Sequence, residues 1–130
     1  MPVVEVAAAL IRDDTGRYLI ARRGAGGPHA GLWEFPGGKR EPGESLEECL
    51  RRELEEELGA TFRVGARVEH VVWAESGTTV ALSFYECRYE TGAIEPRTAQ
   101  AVAWVEPSRL GDYEFPPADT ALLARLQAEG

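Results

Sequence analysis

From Val3 to Arg12 the chain is an apolar, β-suited run that stops at the turn cluster Asp13-Asp14-Thr15-Gly16. Tyr18 to Arg22 reads as the returning strand. Gly24-Ala25-Gly26-Gly27-Pro28 is a looping segment, and Leu32-Trp33-Glu34-Phe35 a short strand closed by Pro36-Gly37-Gly38. Further strands are predicted near Phe62–Glu75, Thr78–Tyr89 and Gln100–Val105, with Ser76-Gly77 as a hairpin turn between the first two. A last helix is predicted from about Ala118 to Ala128, behind Pro116-Pro117. Strands interrupted by one central and one terminal helix imply a mixed α+β domain, and no repeat or linker divides the chain.

The clearest helix is Ser45 to Leu58. Ser45 with Glu48 three residues later forms a capping box, and Gly59 is the C-terminal stop. At about 100° per residue, Leu46, Cys49, Leu50, Leu54 and Leu58 fall on one stripe that should face the core. Glu53 and Glu57 fall within that stripe, and Glu56 lies at its edge, one turn from Glu53. Carboxylates held there need a compensating positive charge. Arg51 or Arg52 is one source; a divalent cation, for which clustered carboxylate oxygens are natural ligands, is another. A solvated acidic face made of Glu47, Glu48, Glu53, Glu55, Glu56 and Glu57 is the plainer alternative. Upstream, Gly37-Gly38-Lys39-Arg40-Glu41-Pro42-Gly43-Glu44 lets backbone approach a ligand closely, or is ordinary loop punctuation.

Composition narrows the partners. With 130 residues and 44% hydrophobic content the chain can bury a core as one domain. Its net charge of -8 argues against a nucleic-acid polymer as partner, because such binding rests on basic side chains displacing counterions. A phosphate-bearing small substrate stays compatible if a cation stands between the acids and the phosphates. No apolar run approaches the ~20 residues of a membrane span. Met1-Pro2-Val3-Val4-Glu5 has no basic stretch of a secretory leader, so a cytoplasmic protein is expected. Two cysteines, Cys49 and Cys87, fit reduced buried thiols rather than a disulfide scaffold or zinc site. Neither pattern nor composition separates a monomer from a homodimer.

Gly38, Glu44, Arg52, Glu53, Leu54, Glu56, Glu57, Gly59 and Ala60 fill every fixed position of G-x5-E-x7-R-E-U-x-E-E-x-G-U, where U is bulky or aliphatic and Ala60 is its weakest match. The chain thereby resembles the Nudix hydrolases, with the box at residues 38–60 of one domain spanning 1–130. Ala30-Gly31-Leu32-Trp33-Glu34-Phe35-Pro36-Gly37-Gly38-Lys39 and Phe115-Pro116-Pro117-Ala118-Asp119 are similar to the MutT-type and CTP-pyrophosphohydrolase members. The resemblance implies a Nudix fold, a curved mixed β-sheet sandwiched between helices (α/β/α). It implies Mg²⁺-dependent (or Mn²⁺-dependent) hydrolysis of a nucleoside triphosphate to a monophosphate and pyrophosphate. Carried over residue by residue, Glu53, Glu56 and Glu57 would ligate metal with the Gly37 carbonyl. Glu53 would orient or deprotonate the water, Glu44 support it, and Arg52 hold the glutamates. Arg23 and Lys39 would contact phosphates.

Relatives in this subgroup often carry a further acid where this chain has Thr98, so either Glu53 suffices or Glu95 reaches in. Asp119 sits where relatives read the base; its carboxylate accepts hydrogen bonds, as from the cytosine amine or guanine N–H groups, though it also fits a helix N-cap. Phe35, Val4, Val6, Val80, Leu82 and Pro116 are candidate walls, with Phe35 or Trp33 stacking on the base. His29 and His70 read as incidental, Trp73 and Trp104 as core. The substrates implied are oxidised purine triphosphates such as 8-oxo-dGTP, or cytidine triphosphates. ADP-ribose or dinucleoside polyphosphate hydrolysis, and a catalytically weak nucleotide-binding module, are the alternatives.

Overall fold

A computed structural model of the chain describes residues 3–27, 29–99 and 101–129. At its centre is β1 (Val3–Ile11), which pairs antiparallel with β4 (Gly37–Lys39) and parallel with β6 (Thr78–Thr91). β6 in turn pairs antiparallel with β5 (Thr61–Glu75), so one mixed sheet has the order β4-β1-β6-β5. β2 (Tyr18–Arg22) lies between β3 (Trp33–Glu34) and β7 (Ala101–Val105) in an antiparallel second sheet. The expected curved mixed sheet is therefore two sheets packed together. β1 and β2 do not form the predicted hairpin: one bridge, Arg12 to Tyr18, joins them before they part into different sheets. β2 up to Ala21 and the second half of β1 are buried, and the apolar signal that marks a buried strand does not say which neighbour it pairs with.

Side chains alternate along β1 and feed two cores. Ala7, Ala9 and Ile11 pack with Leu19, Phe62 and the apolar stripe of α1 (Leu46–Leu58). Ala8 and Leu10 pack with Ile20, Phe35, Phe84 and with Leu122 and Leu126 of α2 (Thr120–Glu129). The helices thus cover opposite faces of the strands, the α/β/α arrangement. Burying Leu50, Leu54 and Leu58 contributes roughly 1.5–3 kcal/mol apiece. That contribution outweighs the repulsion among the acids on the same helix. The capping box forms: Glu48 N–H donates to Ser45 Oγ at 3.0 Å and Ser45 N–H to Glu48 Oε1 at 2.8 Å. Gly59 ends the helix at φ 73°, where a glycine is favoured.

Gly37–Lys39 is a strand rather than loop punctuation, and packing explains its two glycines. A Cβ on Gly37 would lie 2.0 Å from the Ala7 carbonyl oxygen, and one on Gly38 would lie 2.3 Å from the Glu53 carboxyl carbon. The last strand is described from Ala101, since Gln100 lies outside the described residues, as does Pro28 of the Gly24–Pro28 segment. α2 starts at Thr120, with Asp119 in the preceding 3₁₀ turn. Cys49 and Cys87 are free and buried, and burial pushes their thiols up to about 11 and about 12. Among the described residues no helix is long and apolar enough to cross a membrane.

Candidate active site

The acidic helix meets β4 edge-on. Glu53 is only 19% exposed at its side chain and lies against Gly38, held by Arg52 Nη1 at 2.8 Å. Arg52 is the hub: it also donates to Glu44 at 2.7 and 3.1 Å, to Glu56 Oε2 at 3.3 Å and to the Lys39 carbonyl at 3.2 Å. These charge-assisted bonds hold the Glu44 carboxyl down to about 2; the Glu41 N–H adds to the effect. Arg52, not Arg51, is the compensating cation the sequence left open.

Glu57 is compensated differently. Its Oε2 is buried without a hydrogen-bond partner, and burial pushes its carboxyl up to about 9. Glu34 and Glu53 push the same way, while the Gly37 N–H opposes. A buried carboxylate oxygen with no partner is a group in search of a cation.

The carboxylates of Glu53, Glu56 and Glu57 are the kind of hard oxygen donor that divalent Mg²⁺-like ions take. Among the described residues no three acids, histidines or cysteines are already drawn around one point, and Glu53 and Glu56 turn towards Arg52. Glu56, 57% exposed at its side chain, is free to turn from Arg52 towards Glu57.

β4 also forms the inner wall of a cavity of about 470 Å³, a size typical of small-molecule sites. All six predicted apolar wall residues, Val4, Val6, Phe35, Val80, Leu82 and Pro116, line it. Arg23, Lys39, Gly37 and Asp119 line it too, so the structure brings the predicted base-side and phosphate-side residues into one cleft. Asp119 is 5% exposed. Burial and the nearby Glu34 push its carboxyl up to about 7, with His29 opposing. It lines the cavity from the end of the 3₁₀ turn Pro117–Asp119.

Several expectations are corrected. Trp33 does not stack in the cleft; it packs edge-on against Tyr113 at 5.2 Å. Trp73 is not core: it is 37% exposed and lines the cavity. His29 is not incidental to the cleft, which it lines while its Nε2 bonds Glu75 Oε2 at 2.8 Å. His70 stays outside it, beside Ser83. Trp104 packs against the core beside α1. Thr98 and Glu95 are exposed, and it is the Glu95 and Arg97 N–H groups that cap the Leu58 and Glu57 carbonyls, at 2.9 and 2.8 Å.

Glu34 was missed altogether. It lines the cleft, pairs with Arg23 at 3.1 Å and is pushed up by burial, with Arg23 opposing. Its one sequence signal was a charge between two aromatics in a short strand.

An α+β domain with a carboxylate-bearing helix behind one wall of a nucleotide-sized cleft has the architecture of a metal-assisted hydrolase acting on small substrates. The sequence profile of the NUDIX domain matches residues 7–125. The chain is 40% identical over 128 residues to the CTP pyrophosphohydrolase of Escherichia coli (strain K12), covering 98% of this chain and 94% of that one. It is 35% identical over 127 residues to the 8-oxo-dGTP diphosphatase of Haemophilus influenzae (strain ATCC 51907 / DSM 11121 / KW20 / Rd), covering 98% and 93%. A crystal structure of the MutT protein from Methanosarcina mazei Go1 superposes with a TM-score of 0.87 at 29% identity, covering 98% and 95%. The chain belongs to the NUDIX domain family and is a Nudix hydrolase.

Proposed function

We propose that this Nudix hydrolase, acting as one domain, cleaves a nucleoside triphosphate between the α- and β-phosphates, giving a monophosphate and pyrophosphate. The observation that carries the reading is the shared wall: a nucleotide-sized cleft lined by apolar residues and Asp119 abuts β4, against which Glu53 and Glu57 also stand. The relatives named above as acting on CTP and 8-oxo-dGTP support the same substrate class.

Glu53, Glu56 and Glu57 with the Gly37 carbonyl would hold Mg²⁺, or Mn²⁺ in its place. Bound there, the cation supplies neutralisation of phosphate charge and acidifies nearby water. Glu53 orients the attacking water and accepts its proton, held in place by Arg52 against Gly38. Glu44 fixes Arg52 from the other side. Arg23 and Lys39, which line the cleft, hold the phosphates, so binding the triphosphate draws Arg23 away from Glu34. Phe35 and its apolar neighbours enclose the base, and Asp119 bonds its polar edge, favouring cytidine or an oxidised purine over uracil and thymine.

Pyrophosphate release from a panel of nucleotides, with and without Mg²⁺, tests this. Mg²⁺-dependent release from cytidine or 8-oxo-purine triphosphates is expected. Turnover of ADP-ribose or a dinucleoside polyphosphate alone would overturn it, as would nucleotide binding with no turnover.

A further inference from the structure

The tip of the β5–β6 hairpin, which follows the Nudix box in the chain, forms part of the cleft lining. Trp73 and Val80 are directly paired across the two strands, and Glu75 pairs with Thr78. All four line the cavity, so one face of the hairpin tip is turned inward. Trp73 is the tryptophan that the fold leaves open to the cleft: Trp33 is packed on Tyr113 and Trp104 on the α1 core. An indole at 37% exposure leaves more than a third of its surface open in the free protein, and an aromatic side chain lining the cleft together with Val80 and Leu82 is a surface on which a base stacks.

A second contact fixes that wall. Glu75, two residues on and on the same strand face, is bonded through Oε2 to His29 Nε2 at 2.8 Å. His29 comes from the opposite side of the cleft, after the glycine-rich segment Gly24-Ala25-Gly26-Gly27, and its backbone sits at φ 61°. That left-handed conformation is uncommon outside glycine.

We propose that Trp73 is the outer stacking wall of the nucleobase pocket, and that the His29–Glu75 bond across the mouth is the positioning clasp that holds it there. The proposal rests on the reading of the cleft as a nucleotide site. It adds a residue that contacts the base and a pair that acts through it. Trp73 distinguishes aromatic from non-aromatic occupants, while Asp119 distinguishes one base from another.

Trp73→Leu keeps apolar bulk and removes the ring. It is expected to raise KM for the preferred triphosphate roughly ten-fold with kcat within about two-fold of wild type, and Trp73→Phe recovers most of the loss. Titrating the nucleoside monophosphate product should quench tryptophan fluorescence in the wild type and not in Trp73→Leu. His29→Ala and Glu75→Ala should each raise KM about three-fold, and the double variant no more than either alone, as members of one contact do.

An unchanged KM and unchanged quenching in Trp73→Leu overturn the stacking role. Multiplying effects of His29→Ala and Glu75→Ala overturn the clasp. Should the wild type release no pyrophosphate while the monophosphate still quenches Trp73, the triphosphatase reading fails and the stacking wall stands. Thermal melts of each variant, matched to wild type, exclude misfolding as the cause; if Trp73→Leu melts early, the Trp73→Phe comparison carries the test.

Discussion

Gly38→Ala plants a methyl group where the Glu53 carboxylate lies. The new Cβ would sit 2.3 Å from the Glu53 carboxyl carbon and 2.4 and 2.7 Å from its two oxygens. Ordinary contact begins at 3.4 Å, so the carboxylate must move by about 1 Å. It is the far end of a flexible side chain, so the fold can accept the shift; the Arg52 bond and the water geometry cannot. A misplacement of that size at a reacting group costs on the order of 10²-fold in rate. Gly38→Ala is therefore expected to lose about 10²-fold in kcat while its Tm falls by only a few degrees. Gly37→Ala is the contrasting control. Its Cβ would lie 2.0 Å from the backbone oxygen of Ala7, which cannot turn aside, so β4 should detach and the protein should melt far below wild type. Pyrophosphate release at saturating nucleotide and Mg²⁺, with thermal melts of both variants, is the assay. A Gly38→Ala enzyme with wild-type kcat would refute the placing of Glu53 against this strand as the source of its reactivity.

Glu53→Gln should drop kcat by orders of magnitude with the melt unchanged or improved, since it removes one of the repelling charges; steady-state kinetics at saturating Mg²⁺ checks it. Glu57 is raised to about 9 from an ordinary value of 4.5, so the folded protein holds a proton the unfolded chain releases. Without added metal, stability should fall as pH rises from about 4.5 towards 9, and Glu57→Gln should flatten that slope in melts taken across the range. Added Mg²⁺ should restore more stability at high pH than at low pH, because cation and proton compete for the same carboxylate. Asp119, raised to about 7 from 3.8, has the same sign: its destabilising effect grows between those values and is constant above. Asp119→Asn should melt higher than wild type at pH near 8 and change the ranking of bases in the nucleotide panel, while Asp119→Ala should weaken base discrimination.

Local chemistry is where sequence reading succeeded. The capping box at Ser45 and Glu48, the stop at Gly59 and the hairpin at Ser76-Gly77 depend on neighbours a few residues apart, and all formed. The burial of Glu53 and Glu57 on the Leu50–Leu54–Leu58 side follows from helical spacing alone. The apolar walls of the cleft were legible because Val4 and Val6, like Val80 and Leu82, alternate on their strands and share a face. What failed depended on distant partners. Trp73 was read as core because an indole within a strand gives no sign of whether its face meets protein or a cleft. His29 was misread because its partner, Glu75, lies 46 positions away, and Glu34 was passed over because Asp119, whose carboxyl it pushes up, lies 85 positions away.

Backbone preference and side-chain period act over one or two turns, and that range was enough for the helix, its caps, its misplaced acids and every strand but β4. The parting of β1 and β2 into different sheets came from long-range packing. The same packing made β4 the wall shared by carboxylates and cleft, and gave Arg52 rather than Arg51 the neutralising role. Those outcomes turn on which surfaces pack within a few ångströms of one another, and side-chain period names a buried face without naming what buries it.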